Sequence, residues 1–237
     1  MIKLVQYFVL KKFVPQLLFI SVLVVLTSCA TQQNRGPIRV ACVGDSITYG
    51  YGIKDREHDS YPAQLAALLG EKWEVRNFGV NGATALKRGT RPYNEQPAYR
   101  EVLSFKPNVV VIKLGTNDTN AKSWPSHKDE FLSDYLELIR SFAALETKPK
   151  IYLCRPVPLF RDRGKEYDTD KILVEEVIPK VNEAAKKTKL PIIDLYAPFE
   201  DKANLFPDGV HPDAKGAGIM ASTIFSKLTG RSVGNQK

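Results

Sequence analysis

Five short apolar runs, each ending in small or polar residues and separated by stretches long enough for a helix, constrain the fold of this chain most. The clearest is Val109-Val110-Val111-Ile112-Lys113-Leu114. It is β-branched and almost wholly apolar, which suits a strand buried on both faces of a parallel sheet. The others cover residues 39–43, 73–78, 151–154 and 191–195. Between them the apolar period becomes helical. Ser60-Tyr61-Pro62 opens a helix, with Ser as cap and Pro in the first turn, and Gly70 ends it. Further helices are expected over 99–105 (stopped by Pro107), about 128–145, about 171–187 (bent or restarted at Pro179) and 213–228. Strands alternating with helices imply an α/β fold: a single three-layer α/β/α domain around a doubly wound, five-stranded parallel sheet, with flavodoxin-like strand order expected.

The amino-terminal segment differs in character. Lys3, Lys11 and Lys12 precede an apolar run over 13–26, and no acid occurs before Asp45. A cationic region followed by about 14 apolar residues matches a secretory signal, and is short for a spanning helix. The run ends Leu26-Thr27-Ser28-Cys29, which resembles a bacterial lipobox, so residues 1–28 are expected to be a signal peptide and Cys29 the lipidated first residue. The implied location is outside the cytoplasm, on a bacterial membrane. Residues 29–37 read as a polar tether, 38–230 as the folded domain and 231–237 as a tail. Cleavage would lower the net charge from +8 to +5, because Lys3, Lys11 and Lys12 leave and no acid does. Such a mild excess argues for no nucleic-acid partner. The remaining cysteines, Cys42 and Cys154, lie in strand-like runs and read as buried free thiols. No spacing suits a metal, and the first strand's loop lacks the Gly-x-Gly-x-x-Gly of a dinucleotide site.

Ligands of open α/β sheets lie beyond the carboxyl ends of the strands. Four loops there carry unusual polar residues. The first run stops at Gly44-Asp45-Ser46, the second leads to Gly82, the third to Asn117, and a late loop carries Asp208-Gly209-Val210-His211. A serine at a strand end is a candidate nucleophile. The chain has three histidines; His58 and His127 read as surface residues, which leaves His211 as the base. An acid three residues earlier on a tight turn can take the Nδ1 proton of His211, so that Nε2 faces the serine. Asn77 and Asn81 read as residues that fix the second loop, and Asp45 and Asp118 as structural acids that bond loop amides.

The order Ser, Asp, His is that of α/β-hydrolases, yet Gly44-Asp45-Ser46-Ile47-Thr48 lacks the second glycine of their nucleophile elbow. The four blocks instead resemble those of the SGNH hydrolases, also called the GDSL esterase family, across nearly the whole mature chain. The signature letters fall on Ser46, Gly82, Asn117 and His211. Ile47 stands where the motif has Leu, a swap of similar volume. The resemblance implies a Ser46–His211–Asp208 triad. It also implies an oxyanion hole built from the Ser46 and Gly82 amides and the Asn117 side chain, with no cofactor.

The chain is thus expected to be a serine esterase whose substrate is an acylated small molecule or glycan. Exported members of this size resemble carbohydrate O-acetylesterases, which favours O-deacetylation of sugars over lysophospholipid or thioester cleavage. Arg88, Arg91, Tyr93 and Trp124, in the insertions after the second and third blocks, are the expected substrate contacts. The rival from another class is a glycan-binding lipoprotein without turnover, against which the intact Ser46, Asn117, Asp208 and His211 speak.

Overall fold

The sheet is built in the order β2-β1-β3-β4-β5, all parallel. Its strands are β1 (Ile38–Gly44), β2 (Trp73–Gly79), β3 (Val109–Lys113), β4 (Lys150–Arg155) and β5 (Ile192–Asp194). The computed structural model describes residues 36–235; the expected signal peptide (residues 1–28), Cys29 and most of the expected tether lie outside them. Among the described residues no helix is long and apolar enough to cross a membrane.

Alternate side chains of the strands enter two cores, as the period of two requires. Ala41, Val43, Val110, Ile112, Ile151 and Leu153 face one. The helices α4 (Pro97–Phe105), α6 (Phe131–Ala143) and α8 (Ile178–Thr188) cover that face through Val102, Phe142 and Val181. Val40, Cys42, Val111, Tyr152, Cys154 and Ile193 face the other, under α3 (Tyr61–Leu69) and α9 (Ala214–Thr229). Cys42 and Cys154 are buried and unpaired, and burial pushes the Cys42 thiol up to about 12.

Four short helices complete the set: α1 (Ser46–Tyr49), α2 (Arg56–Asp59), α5 (Trp124–His127) and α7 (Thr169–Ile172). At four residues each, they are too brief to register in an apolar pattern. The expected helix at 171–187 is α7, a π-turn (Leu173–Val177) and α8 in succession. Pro179 has no N–H to give to the preceding turn, so the ladder is reset just before it. Ser60 sits at the N-cap of α3 but makes no capping bond with its side chain. His127 ends α5, and its Nδ1 lies 3.2 Å from Glu130.

β1 and β3 are hydrogen-bonded neighbours whose continuations depart to opposite sides. That is the switch point of a doubly wound sheet, where a crevice opens beyond the strand ends. Ser46 follows β1 and Asn117 follows β3, so both stand at its rim.

Candidate active site

Ser46 is the first residue of α1. Asp45 caps that helix, its Oδ1 accepting from the Ile47 amide at 3.0 Å. Gly44 is required just before it: a Cβ there would lie 2.1 Å from Thr48 Oγ1 and 2.7 Å from the Lys113 carbonyl. Asp45 is itself fully buried and accepts from Lys113 Nζ through both oxygens, at 3.1 and 2.9 Å. Lys113 Nζ also donates to Thr116 Oγ1 at 2.7 Å. Burial pushes the Lys113 ammonium below its ordinary value, against the pull of Asp45. The loop after β1 and the loop after β3 are therefore joined beneath the crevice by an ion pair. A single Lys in an apolar strand was the signal for it.

Ser46 Oγ lies 2.8 Å from His211 Nε2, although 165 residues separate them. His211 Nδ1 lies 2.6 Å from Asp208 Oδ2. A carboxylate can only accept, so the ring hydrogen sits on Nδ1 and Nε2 presents its lone pair to the serine hydroxyl. Asp208 Oδ1 accepts from the amides of Val210 (2.9 Å) and His211 (2.8 Å), which folds the loop back on the acid. Burial would raise the Asp208 carboxyl, but the bonds from the His211 ring and the two amides outweigh it and hold it below its usual range. The far side of the loop is tied as well, since the Gly209 carbonyl accepts from Phe160 N (2.7 Å) and Arg161 N (3.2 Å).

The candidate oxyanion donors follow β1, β2 and β3 in the chain. Gly82 adopts φ +76°, a region L side chains rarely enter, and the space beside its Cα holds only Arg91 Cδ, at 3.9 Å from where a Cβ would stand. Among the described residues its amide makes no hydrogen bond. Asn117 Nδ2 donates one hydrogen to the Ala83 carbonyl at 3.0 Å, which orients the amide and leaves its second hydrogen unused. The Ser46 amide belongs to the first turn of a helix, where no intrahelical acceptor exists. Asp118 is fully buried and accepts from the amides of Ala85 (3.1 Å) and Leu86 (2.8 Å), so the Gly82 and Asn117 loops are bound together. Burial pushes its carboxyl up to about 7.

The expected structural roles of Asp45, Asp118 and Asn77 agree with these contacts. Asn77 donates to the Tyr49 carbonyl and accepts from the Gly79 amide. Asn81 departs from expectation: its Oδ1 is buried without a partner among the described residues, and the loop is held instead by Arg91 Nη1 donating to the Asn81 carbonyl at 2.9 Å.

Two of the four expected substrate contacts are corrected. Tyr93 is 1% exposed and donates its hydroxyl to the Phe78 carbonyl at 2.8 Å. Trp124 is 2% exposed, packs edge-on against Phe131 and bonds Glu176 through Nε1. Both are core residues whose polar tips found internal partners. Arg88 pairs with Glu130 at 3.2 Å on the surface. Arg91 lies beside Gly82. A cleft of about 510 Å³ also opens beside Asn117 and Val210, bounded by Leu159, Arg161 and Tyr167. Tyr51, in the loop after Ser46, is exposed and lies against His211, ring centroids 4.6 Å apart.

Residues 42–219 match the GDSL-like lipase/acylhydrolase family. The chain belongs to that family. An acetylxylan esterase from Xylanibacter ruminicola is 42% identical over 209 residues, which cover 81% of this chain and 43% of the relative. The chain thus spans less than half the length of that enzyme. Among solved structures, a lipase/acylhydrolase from Enterococcus faecalis matches with a TM-score of 0.62 at 26% identity, over 82% of this chain and 96% of the other. Est24, a carbohydrate acetylesterase from Sinorhizobium meliloti, matches with a TM-score of 0.61 at 18% identity, over 81% of this chain and 98% of the other, a likeness of fold. In this GDSL-like member Ser46, His211 and Asp208 form one hydrogen-bonded relay, and the loops carrying Gly82 and Asn117 are joined to each other through Asn117 and Asp118.

Proposed function

We propose that this GDSL-like chain is a serine esterase that removes acetyl groups from sugars, most simply from xylan-type oligosaccharides. Ser46 Oγ attacks the acetyl carbonyl while His211 Nε2 takes its proton, and Asp208 holds the imidazole in the required tautomer. The tetrahedral oxyanion is met by the amides of Ser46 and Gly82 and by the free hydrogen of Asn117 Nδ2. His211 then passes its proton to the departing sugar oxygen, leaving Ser46 acetylated. Water, deprotonated by His211, attacks the acetyl-serine and releases acetate. The observation that carries this reading is the unbroken relay from Asp208 through His211 to Ser46, at 2.6 and 2.8 Å. The sugar substrate is supported by the 42% identity to an acetylxylan esterase over four-fifths of the chain.

The test is acetate release from acetylated xylo-oligosaccharides and from p-nitrophenyl acetate. Ser46→Ala and His211→Ala should each lower kcat by about 10³ or more with circular dichroism unchanged. Undiminished turnover in either variant refutes the role given to that residue. We further propose export and lipid anchoring at Cys29, on the strength of the cationic start, the apolar run and Leu26-Thr27-Ser28-Cys29. Fatty-acid labelling that persists in Cys29→Ala would refute it.

A further inference from the structure

The direction of proton transfer decides on which side of Ser46 the sugar must lie. In deacetylation the carbonyl oxygen turns toward the oxyanion donors, and the departing oxygen must reach His211 Nε2 to be protonated. The ring attached to that oxygen therefore rests against whatever flanks His211. The exposed ring that does so is Tyr51.

Nothing in the packing of the domain accounts for this tyrosine. It is 51% exposed, and among the described residues its only ring partner is His211, at 4.6 Å and tilted by 46°. Its neighbour Tyr49 behaves differently, carrying the Arg56 guanidinium 4.3 Å over its ring. The backbone of Tyr51 is nevertheless held firmly. Its amide donates to the Ser46 carbonyl at 2.9 Å, beside that of Gly50 at 3.0 Å. Gly50 turns the chain at φ +90°, where a Cβ would press on Arg56 Cγ and Ser60 Cβ at 2.9 Å. The backbone that bears the ring is thus tied to the nucleophile's own carbonyl.

We propose that Tyr51 is a binding platform for the leaving group: the sugar bearing the acetyl ester stacks its C–H face on the Tyr51 ring while its ester oxygen meets His211. This rests on the sugar-deacetylase reading above and adds where the sugar sits. A tyrosine suits the task, because it offers a rigid apolar face with a polar edge that stays in water. The acetyl group is too small to need such a face, and an ester of a small aliphatic alcohol has no ring to place on it.

The experiment compares kcat/KM for acetylated xylotriose with kcat/KM for ethyl acetate in wild type, Tyr51→Ala and Tyr51→Phe. In Tyr51→Ala the ratio of the two should fall about five- to tenfold, the loss residing in KM for the sugar ester. Tyr51→Phe should keep the wild-type ratio. Unacetylated xylotriose should also inhibit ethyl acetate hydrolysis by wild type more strongly than by Tyr51→Ala. An equal loss on both esters in Tyr51→Ala would overturn the platform, since Tyr51 would then act through His211. An unchanged ratio would overturn it too. A wild-type chain that cleaves ethyl acetate but frees no acetate from acetylated xylotriose would remove the sugar reading and the platform together, whereas active wild type with an unmoved ratio removes the platform alone.

Discussion

Replacing Lys113 with methionine should destabilise the domain by about 3–5 kcal/mol. In the native structure Lys113 Nζ bonds both oxygens of Asp45 and the hydroxyl of Thr116, and neither charged side chain has any contact with solvent. Methionine fills nearly the same volume, so the loss is electrostatic. Asp45 would remain a buried carboxylate with one hydrogen bond, from the Ile47 amide. In a domain of about 200 residues each kcal/mol moves Tm by about 2–4 °C, which places the variant about 6–20 °C below wild type. The second variant, Asp45→Asn/Lys113→Met, removes both charges while the asparagine oxygen can still cap Ile47. It should recover most of the loss, since no unpaired charge is then left buried. Urea unfolding followed by circular dichroism, with the slope m unchanged, reads both. A loss under about 1 kcal/mol in Lys113→Met, or a double variant as unstable as the two single changes added, would refute the account.

Asn117→Ala should lower kcat on p-nitrophenyl acetate about 10²–10³-fold with KM little altered, because its amide is called on where charge develops; a defect confined to KM would contradict that use. Asp118 binds its proton more tightly in the folded chain, with a value near 7, than in the unfolded one. Its contribution to stability therefore declines as pH rises from about 4 to about 7, and urea midpoints should show this decline flattened in Asp118→Asn. Identical slopes in the two proteins would exclude Asp118 as its source.

The sheet and its order were legible because five strand-like runs of four to six residues, alternating with stretches long enough for a helix, admit few other folds. The site was legible because Ser46 and Asn117 follow strand ends, and Asp208 and His211 share a short loop before the last helix, where buried packing does not call for them. What escaped was whatever depends on direction rather than residue type. Tyr93 and Trp124 have the same amphipathic character whether they meet a sugar or a core carbonyl, and only the coordinates show Phe78 and Glu176 as their partners. Tyr51 is the reverse case, an aromatic that a loop of two glycines leaves outside. Lys113 went unremarked in its apolar strand because its acid lies 68 residues away, at the end of a neighbouring strand.

The pairing of β1 with β3 sets Gly44 opposite Lys113. A slip of two residues would keep every apolar side chain facing inward, yet would carry Ser46 about 6.6 Å along the sheet from Asn117. Hydrophobic burial alone cannot tell those alignments apart. The charge on Lys113 can, since only one of them brings its ammonium to the carboxylate of Asp45. The ion pair beneath the crevice thus acts as a detent for strand alignment, and chains lacking it would be expected to include members that are well ordered but chemically inert.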